Sequence, residues 1–154
     1  MDASYPPLRL PRPDDLRIRE GQVFDPVRSL WIALTPEEWV RQHAIQFLRN
    51  QGVPDGLMAI ERGHQASAGT RRTDITVYDR QGSVFLVCEC KAATIPMRQD
   101  ALAQVMRYAD TLGSRHVCVT NGKSLFAASR EDGGGYRFRP GFPEFDQQPE
   151  RHDV

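Results

Sequence analysis

The 154-residue chain predicts an α/β layer fold (α+β mixed sheet), with a mixed central sheet flanked by helices. Three patterns carry that prediction. Two stretches place apolar side chains at helical spacing: Val40, Ala44, Phe47 and Leu48, and then Leu102, Val105, Met106 and Ala109. Between them lies Val84-Phe85-Leu86-Val87-Cys88, apolar throughout as expected of a strand covered on both faces. The second helical stretch separates that run from Val117-Cys118-Val119-Thr120, so a helical crossover should set the two strands parallel.

Taken in order, residues 1–15 contain Pro6, Pro7, Pro11 and Pro13 with little periodicity and predict a mobile or extended arm. A short hairpin is expected around Glu20-Gly21, joining Leu16-Arg17-Ile18-Arg19 to Gln22-Val23-Phe24. Thr35-Pro36-Glu37-Glu38 opens the first helix with an N-cap threonine, a proline at the first helical position and two acids in the first turn. Thr35 and Glu38 also have capping-box spacing. The helix should run to about Asn50 and end in Gln51-Gly52-Val53-Pro54. Strands are expected over Leu57–Glu61, Thr73–Tyr78 and Val84–Lys91, the last two an antiparallel hairpin turned by Asp79-Arg80-Gln81-Gly82. A second helix follows over Arg98–Leu112, capped by Gly113. After the Val117 strand, Leu125–Ala128 and Tyr136–Phe138 should close the sheet edge. The folded domain is thus 16–139, followed by a disordered tail over 140–154.

Composition narrows the function classes. Hydrophobic residues make up 40% and charged residues 26%, ordinary for a globular domain, and no apolar run approaches a membrane span. The amino terminus lacks a basic region followed by an apolar stretch, which predicts a cytoplasmic protein. Cys88, Cys90 and Cys118 lie among apolar neighbours without Cys-x-x-Cys spacing and read as buried small hydrophobes in a reducing compartment. The formal charge is +0, but residues 98–139 carry a net +3 and the tail from Pro140 a net −3. His43, His64, His116 and His152 have no ligand spacing and are assigned no chemistry, and Trp31, Trp39 and Phe47 read as packing residues.

The chemistry concentrates at Asp74, Glu89 and Lys91. Successive strand side chains face opposite ways, so Glu89 and Lys91 project from one side, next to the strand that carries Asp74. Charges at the end of an otherwise buried strand cost several kcal/mol unless paired or bound to a cation. Magnesium needs only a few oxygen ligands besides water, so Asp74 and Glu89 point to metal-assisted phosphodiester cleavage, with Lys91 orienting or helping to deprotonate the attacking water. Pairing of Glu89 with Lys91 on an exposed strand end is the bland alternative.

An aspartate, then Glu-x-Lys ending a core strand, then a glutamine one helix later resembles the PD-(D/E)XK nuclease superfamily. Within it, Phe24–Arg28, Leu34–Gln42, Arg72-Thr73-Asp74, Cys88–Ala92, Gln104–Tyr108 and Thr120-Asn121-Gly122 resemble the amino-terminal nuclease domain of type I restriction enzyme R subunits, especially its short stand-alone relatives. The resemblance implies a restriction-endonuclease-like core and a metal-dependent DNA endonuclease using Mg2+ or Mn2+. It makes Asp74 and Glu89 metal ligands, Lys91 the catalytic lysine, and Gln104 with Tyr108 a helix pair facing the site. Relatives add a glutamate from the first helix. Glu37 is favoured over Glu38, because it shares a face with Val40, Arg41 and Ala44. Arg41, Arg72, Arg107 and Tyr108 are candidate nucleic-acid contacts, although Arg41 is equally placed to pair with Glu37 or Glu38. Glu61 is a candidate supporting acid.

DNA is the expected partner, with a homodimer and a helicase or targeting partner as further expectations. ATP is not expected. An R subunit couples its nuclease to a motor, whereas here Gly122-Lys123-Ser124 would need glycine at 117, where Val117 stands, so Asn121-Gly122 reads as a turn. Two other functions compete: a non-enzymatic nucleic-acid-binding or accessory module that keeps the nuclease fold, and a structure-selective nuclease resembling Holliday-junction resolvases.

Overall fold

The computed structural model describes residues 5–66 and 69–145, with the backbone alone for 62–66 and 69–72. A small antiparallel sheet comes first, built from β1 (Ile18–Arg19), β2 (Gln22–Asp25) and β3 (Leu30–Ala33). Glu20 and Gly21, at φ of 45° and 73°, make the two-residue turn that right-twisted hairpin strands require. Strand β3 is absent from the sequence expectation. Its four residues alternate little, and pairing with β2 rather than local propensity makes them a strand.

Helix α1 (Pro36–Asn50) starts where its signals place it, with Glu38 N–H donating to Thr35 Oγ1 at 3.0 Å. The reciprocal half of the expected capping box is not made. Thr35 N–H bonds Ala33 O instead, and the Glu38 carboxylate turns inward to two arginines. The main sheet contains β4 (Met58–Ala66), β5 (Gly69–Tyr78), β6 (Val84–Cys90), β7 (His116–Thr120), β8 (Leu125–Arg130) and β9 (Tyr136–Arg139), in chain order. Every neighbouring pair is antiparallel except β6 with β7, which α2 (Gln99–Thr111) joins as a parallel crossover. This is the mixed, helix-flanked sheet of a restriction-endonuclease-like core.

Strand parity divides the core. Leu86, Cys88 and Cys90 pack with Val40, Ala44, Ile45 and Leu48 of α1, while Val87 packs with Leu102, Val105 and Ala109 of α2. Each such side chain contributes about 1.5–3 kcal/mol of burial, so β6 is clamped from both faces and its end is a fixed platform. All three cysteines are buried and free. Hydrogen bonding to Cys88 and burial raise the Cys90 thiol pKa, which keeps it protonated and inert.

Both ends of the chain engage the core more than their composition suggests. Tyr5 donates its hydroxyl to Leu34 O at 2.8 Å, Trp39 Nε1 donates to Pro6 O at 2.9 Å, and Leu8 lies against Gly122, where a Cβ would come within 2.7 Å of it. The arm is extended but anchored. Beyond Pro140, Phe142 stacks edge-on to Phe47 and the buried Phe145 edge-on to Phe85. These two aromatics hold residues 142–145 against the core, although the acidic tail over 140–154 reads as disordered, and 146–154 lie outside the described residues. Phe145→Ala is therefore expected to cost about 2–3 kcal/mol, below the usual cost for a core phenylalanine because the terminal segment can relax. Urea denaturation measures it.

The His116 ring meets Phe85 edge-on at 4.8 Å and has Nδ1 2.7 Å from Ser129 Oγ. Burial, then Arg139 and Arg115, lower its pKa from 6.5 to about 4. The unfolded chain therefore takes up this proton first, so the contribution to stability is complete above pH 6.5 and is lost as pH falls towards 4. For a half-buried ring the effect is discounted to about 1–2 kcal/mol. Urea midpoints at about pH 7 and pH 5 should show it in the wild type, and His116→Gln should lack that part of the pH dependence.

Candidate active site

Alternation along β6 sends Glu89 and Lys91 to the α2 side, in step with Val87. Lys91 N–H donates to Thr120 O at 2.8 Å, so the pairing with β7 continues through the lysine and fixes its backbone. Its ammonium is 37% exposed and stands 4.0 Å from Glu89 Oε1, a loose pair that leaves it available to a ligand. Asp74 lies one residue past the last β5–β6 pair, Ile75 with Cys88. There its carboxylate substitutes for a strand carbonyl, accepting from Cys90 N–H at 2.7 Å through Oδ2. Its Oδ1 accepts from Arg41 Nη2, also at 2.7 Å.

Arg41 is the hub of the site. It is 3% exposed, and its guanidinium pairs with Glu38, Glu37 (3.0 Å), Glu61 (3.0 Å) and Asp74 (2.7 Å). Burial disfavours its charge, but Glu38 and Asp74 outweigh burial and raise its pKa. Arg28 extends the network through Asp25 (2.9 Å), Glu38 (3.4 Å) and Glu61 (3.3 Å). The turn Asp25-Pro26-Val27-Arg28 aims it, since Asp25 Oδ1 accepts from Val27 N–H and Arg28 N–H. Gln42 Nε2 ties Asp25 to Glu38 at 3.1 Å each. Glu61 sits mid-strand, not at a strand end, in the register gap opposite Asp74 and at φ 52°. A left-handed glutamate costs of order 1–3 kcal/mol, and its two arginine contacts offset that strain.

Glu37 and Glu38 have separate fates. Glu38 is the buried one, whereas the Glu37 side chain is 49% exposed beside Asp74. The helical-face argument thus assigned the packed position to the wrong neighbour. Burial first, and then the Asp74 charge, raise the Glu37 pKa.

Two open clefts flank this row of side chains. One, of about 470 Å³, is lined by Lys91, Ile95, Met97, Arg98, Gln104 and Val119. The other, of about 540 Å³, is lined by Arg28, Glu37, Glu38, Arg41, Glu61 and Ala92. Gln104 is exposed and shares the first cleft with Lys91, as a role at the site requires.

Two of the four expected nucleic-acid contacts are buried. Arg41 is committed to carboxylates and buried, so it cannot reach a phosphate on the surface. Tyr108 is also buried, because a four-residue helical step carries the chain from the exposed Gln104 over the edge into the sheet contact. The Arg72 side chain lies outside the described residues. Arg107 is exposed on α2. Asp25 and Arg28 carry site contacts although sequence reasoning gave them no role; their segment Phe24–Arg28 entered only through the family resemblance.

A divalent cation can be tested against these donors. Five carboxylates, Asp25, Glu37, Glu38, Glu61 and Asp74, face only two guanidiniums, and all are hard oxygen ligands of the type Mg2+ selects. Glu37 and Asp74 converge on one guanidinium nitrogen of Arg41, and the repulsion between neighbouring carboxylates is what a bound cation would relieve. No group of three His, Cys, Asp or Glu residues converges on a metal position among the described residues. The donors suit an ion held by two carboxylates with water completing its shell.

Residues 36–143 match the family described as type I restriction enzyme R protein N terminus. The chain belongs to that family. Membership in this R-protein N-terminal family gives it a restriction-enzyme, nuclease-like setting. No curated protein shows significant sequence similarity to the chain. Among solved structures, the DrdV–DNA complex determined by cryo-electron microscopy aligns at 20% identity and a TM-score of 0.46. That alignment covers 68% of this chain and 10% of the other, so the chain spans about a tenth of that protein's length. Among the described residues no helix is long and apolar enough to cross a membrane.

Proposed function

We propose that this R-protein N-terminal domain is a Mg2+- or Mn2+-dependent DNA endonuclease of the PD-(D/E)XK type, hydrolysing phosphodiester bonds. The observation that supports the reading is Asp74 and Glu37 gathered on one Arg41 nitrogen, with Asp74 bonded to Cys90 N–H immediately before the loosely paired Lys91. Asp74 and Glu37 would hold the ion, with Glu89 on the Lys91 side. When bound, such an ion supplies an acidified water and neutralises charge on the phosphate. Lys91 offers an ammonium that orients the attacking water and stabilises the phosphate oxygens. Gln104 hydrogen-bonds the substrate from α2. Arg41 is a positioning residue, holding Asp74 Oδ1 while Cys90 N–H holds Oδ2.

Nicking of supercoiled plasmid in Mg2+ or Mn2+ tests the proposal, with activity in the wild type and none in Asp74→Ala as the expected result. Equal nicking by both proteins would remove it.

One observation favours the accessory-module reading instead: both Asp74 oxygens are already engaged within the protein. Calorimetric titration with Mg2+ separates the two. Wild-type heat that Asp74→Ala lacks supports the nuclease, and no heat in either supports the module.

A further inference from the structure

We propose that the far end of the Lys91 cleft is a nucleobase-stacking site for an unpaired stretch of nucleic acid, built on Phe126 and Phe138. Among the described residues, five large apolar side chains are exposed, and three of them, Ile95, Phe126 and Phe138, lie along one groove. Ile95 lines the cleft that holds Lys91 and Gln104. Phe126 and Phe138, 43% and 55% exposed, line a smaller pocket of about 100 Å³. Met97 and Arg98 belong to both, so the two cavities run into one another.

The sheet explains why the rings stand together. Ala128 pairs with Phe138 across β8 and β9, and Phe126 lies two residues from Ala128, so both rings share the α2 face of the sheet as diagonal neighbours. Met97, Arg98 and the first turn of α2 wall the pocket on one side, and both rings remain about half exposed at the sheet edge. Exposed aromatics of this size are costly to leave in water, and a contiguous apolar patch beside a site marks an interaction surface.

Charge selects the partner. The Arg98 side chain, on the wall of both cavities, makes no hydrogen bond or ion pair among the described residues, and the Lys91 ammonium stands in a loose 4.0 Å pair with Glu89. Asp100 is the one acid on the cleft wall. Two cations on a cleft that ends in a pair of aromatic rings suit a polyanion with flat bases, since the cations follow the backbone and the rings stack on bases of any sequence. A duplex keeps its bases stacked on each other, so the ligand must have at least one unpaired base.

This inference rests on the nucleic-acid reading of the site and adds a substrate class to it: DNA with a single-stranded or frayed segment next to the phosphate at Lys91. The test measures binding of a fluorescently labelled single-stranded oligonucleotide to the whole chain in EDTA, where no cleavage occurs. An abasic strand and a blunt duplex of equal length are the comparisons. Wild type should prefer the base-bearing strand over the abasic one by roughly tenfold, as expected when one or two bases stack. Phe126→Leu and Phe138→Leu, which keep the apolar surface and the fold, should remove most of that preference. Equal binding of the abasic and base-bearing strands by wild type, or an unchanged preference in both leucine variants, would overturn the proposal. So would a concentration-dependent dimer that the leucine variants dissolve, because the patch would then serve a second copy of the chain. Plasmid nicking on the same preparations keeps the readings apart. Absent nicking with intact aromatic-dependent binding rejects the nuclease alone, whereas nicking without any base preference rejects the stacking site alone.

Discussion

Arg41→Met is expected to destabilise the protein by about 3–5 kcal/mol. Methionine can fill the space of the aliphatic stem, so packing is largely kept and the loss is electrostatic. What remains after the change is the carboxylates of Glu37, Glu38, Glu61 and Asp74, left facing one another, with Glu38 and Asp74 buried. Replacing a whole buried ion cluster by apolar groups can be neutral, but removing Arg41 leaves Asp74 and Glu37 without their ion-pair partner. Arg28 still reaches Glu38 and Glu61, and it has no recorded contact with Asp74 or Glu37. For a chain of this size the melting temperature should fall by about 10 °C. Arg41→Lys should recover little, because one ammonium cannot bridge acids arriving from α1, β4 and β5 together. Thermal and urea unfolding provide the measurement, and a loss under about 1 kcal/mol would show that these charges are more solvated than their burial implies.

Lys91→Ala should lower metal-dependent nicking by about 10²–10⁴-fold, the range associated with one positioned proton-handling or charge-stabilising group. Its stability should stay within about 0.5 kcal/mol of wild type, since the side chain is more than one-third exposed and its pair with Glu89 spans 4.0 Å. The combination distinguishes chemistry from folding. Steady nicking rates and melting curves on the same sample decide it: a variant that nicks normally removes Lys91 from the reaction, and one that melts early assigns it a structural role.

Local signals in the sequence were legible where local physics decides. Thr35-Pro36 placed the start of α1, Gly113 the end of α2, and the helix between Cys90 and His116 the parallel pairing of β6 with β7. The side shared by Glu89 and Lys91 was legible because side chains alternate along a strand. What stayed hidden depends on distant partners. Strand β3 exists through β2, and Phe145 is buried through Phe85. A helical arginine flanked by glutamates looks solvated, so nothing in its neighbourhood revealed that Arg41 is an interior counter-ion for residues from three elements. Tyr108 illustrates the limit of spacing arguments, since one helical step from Gln104 separates cleft from core.

Strand β6 carries thiols toward α1 and charge toward α2, one kind of side chain on even positions and the other on odd ones at its end. Sliding the strand by a single position would exchange the two sets, thrusting an ammonium group into oil and bare sulphur into the cleft. Insertions or deletions within β6 therefore abolish architecture and reactivity at one stroke. In this segment evolution is left with substitution as its only usable currency of change.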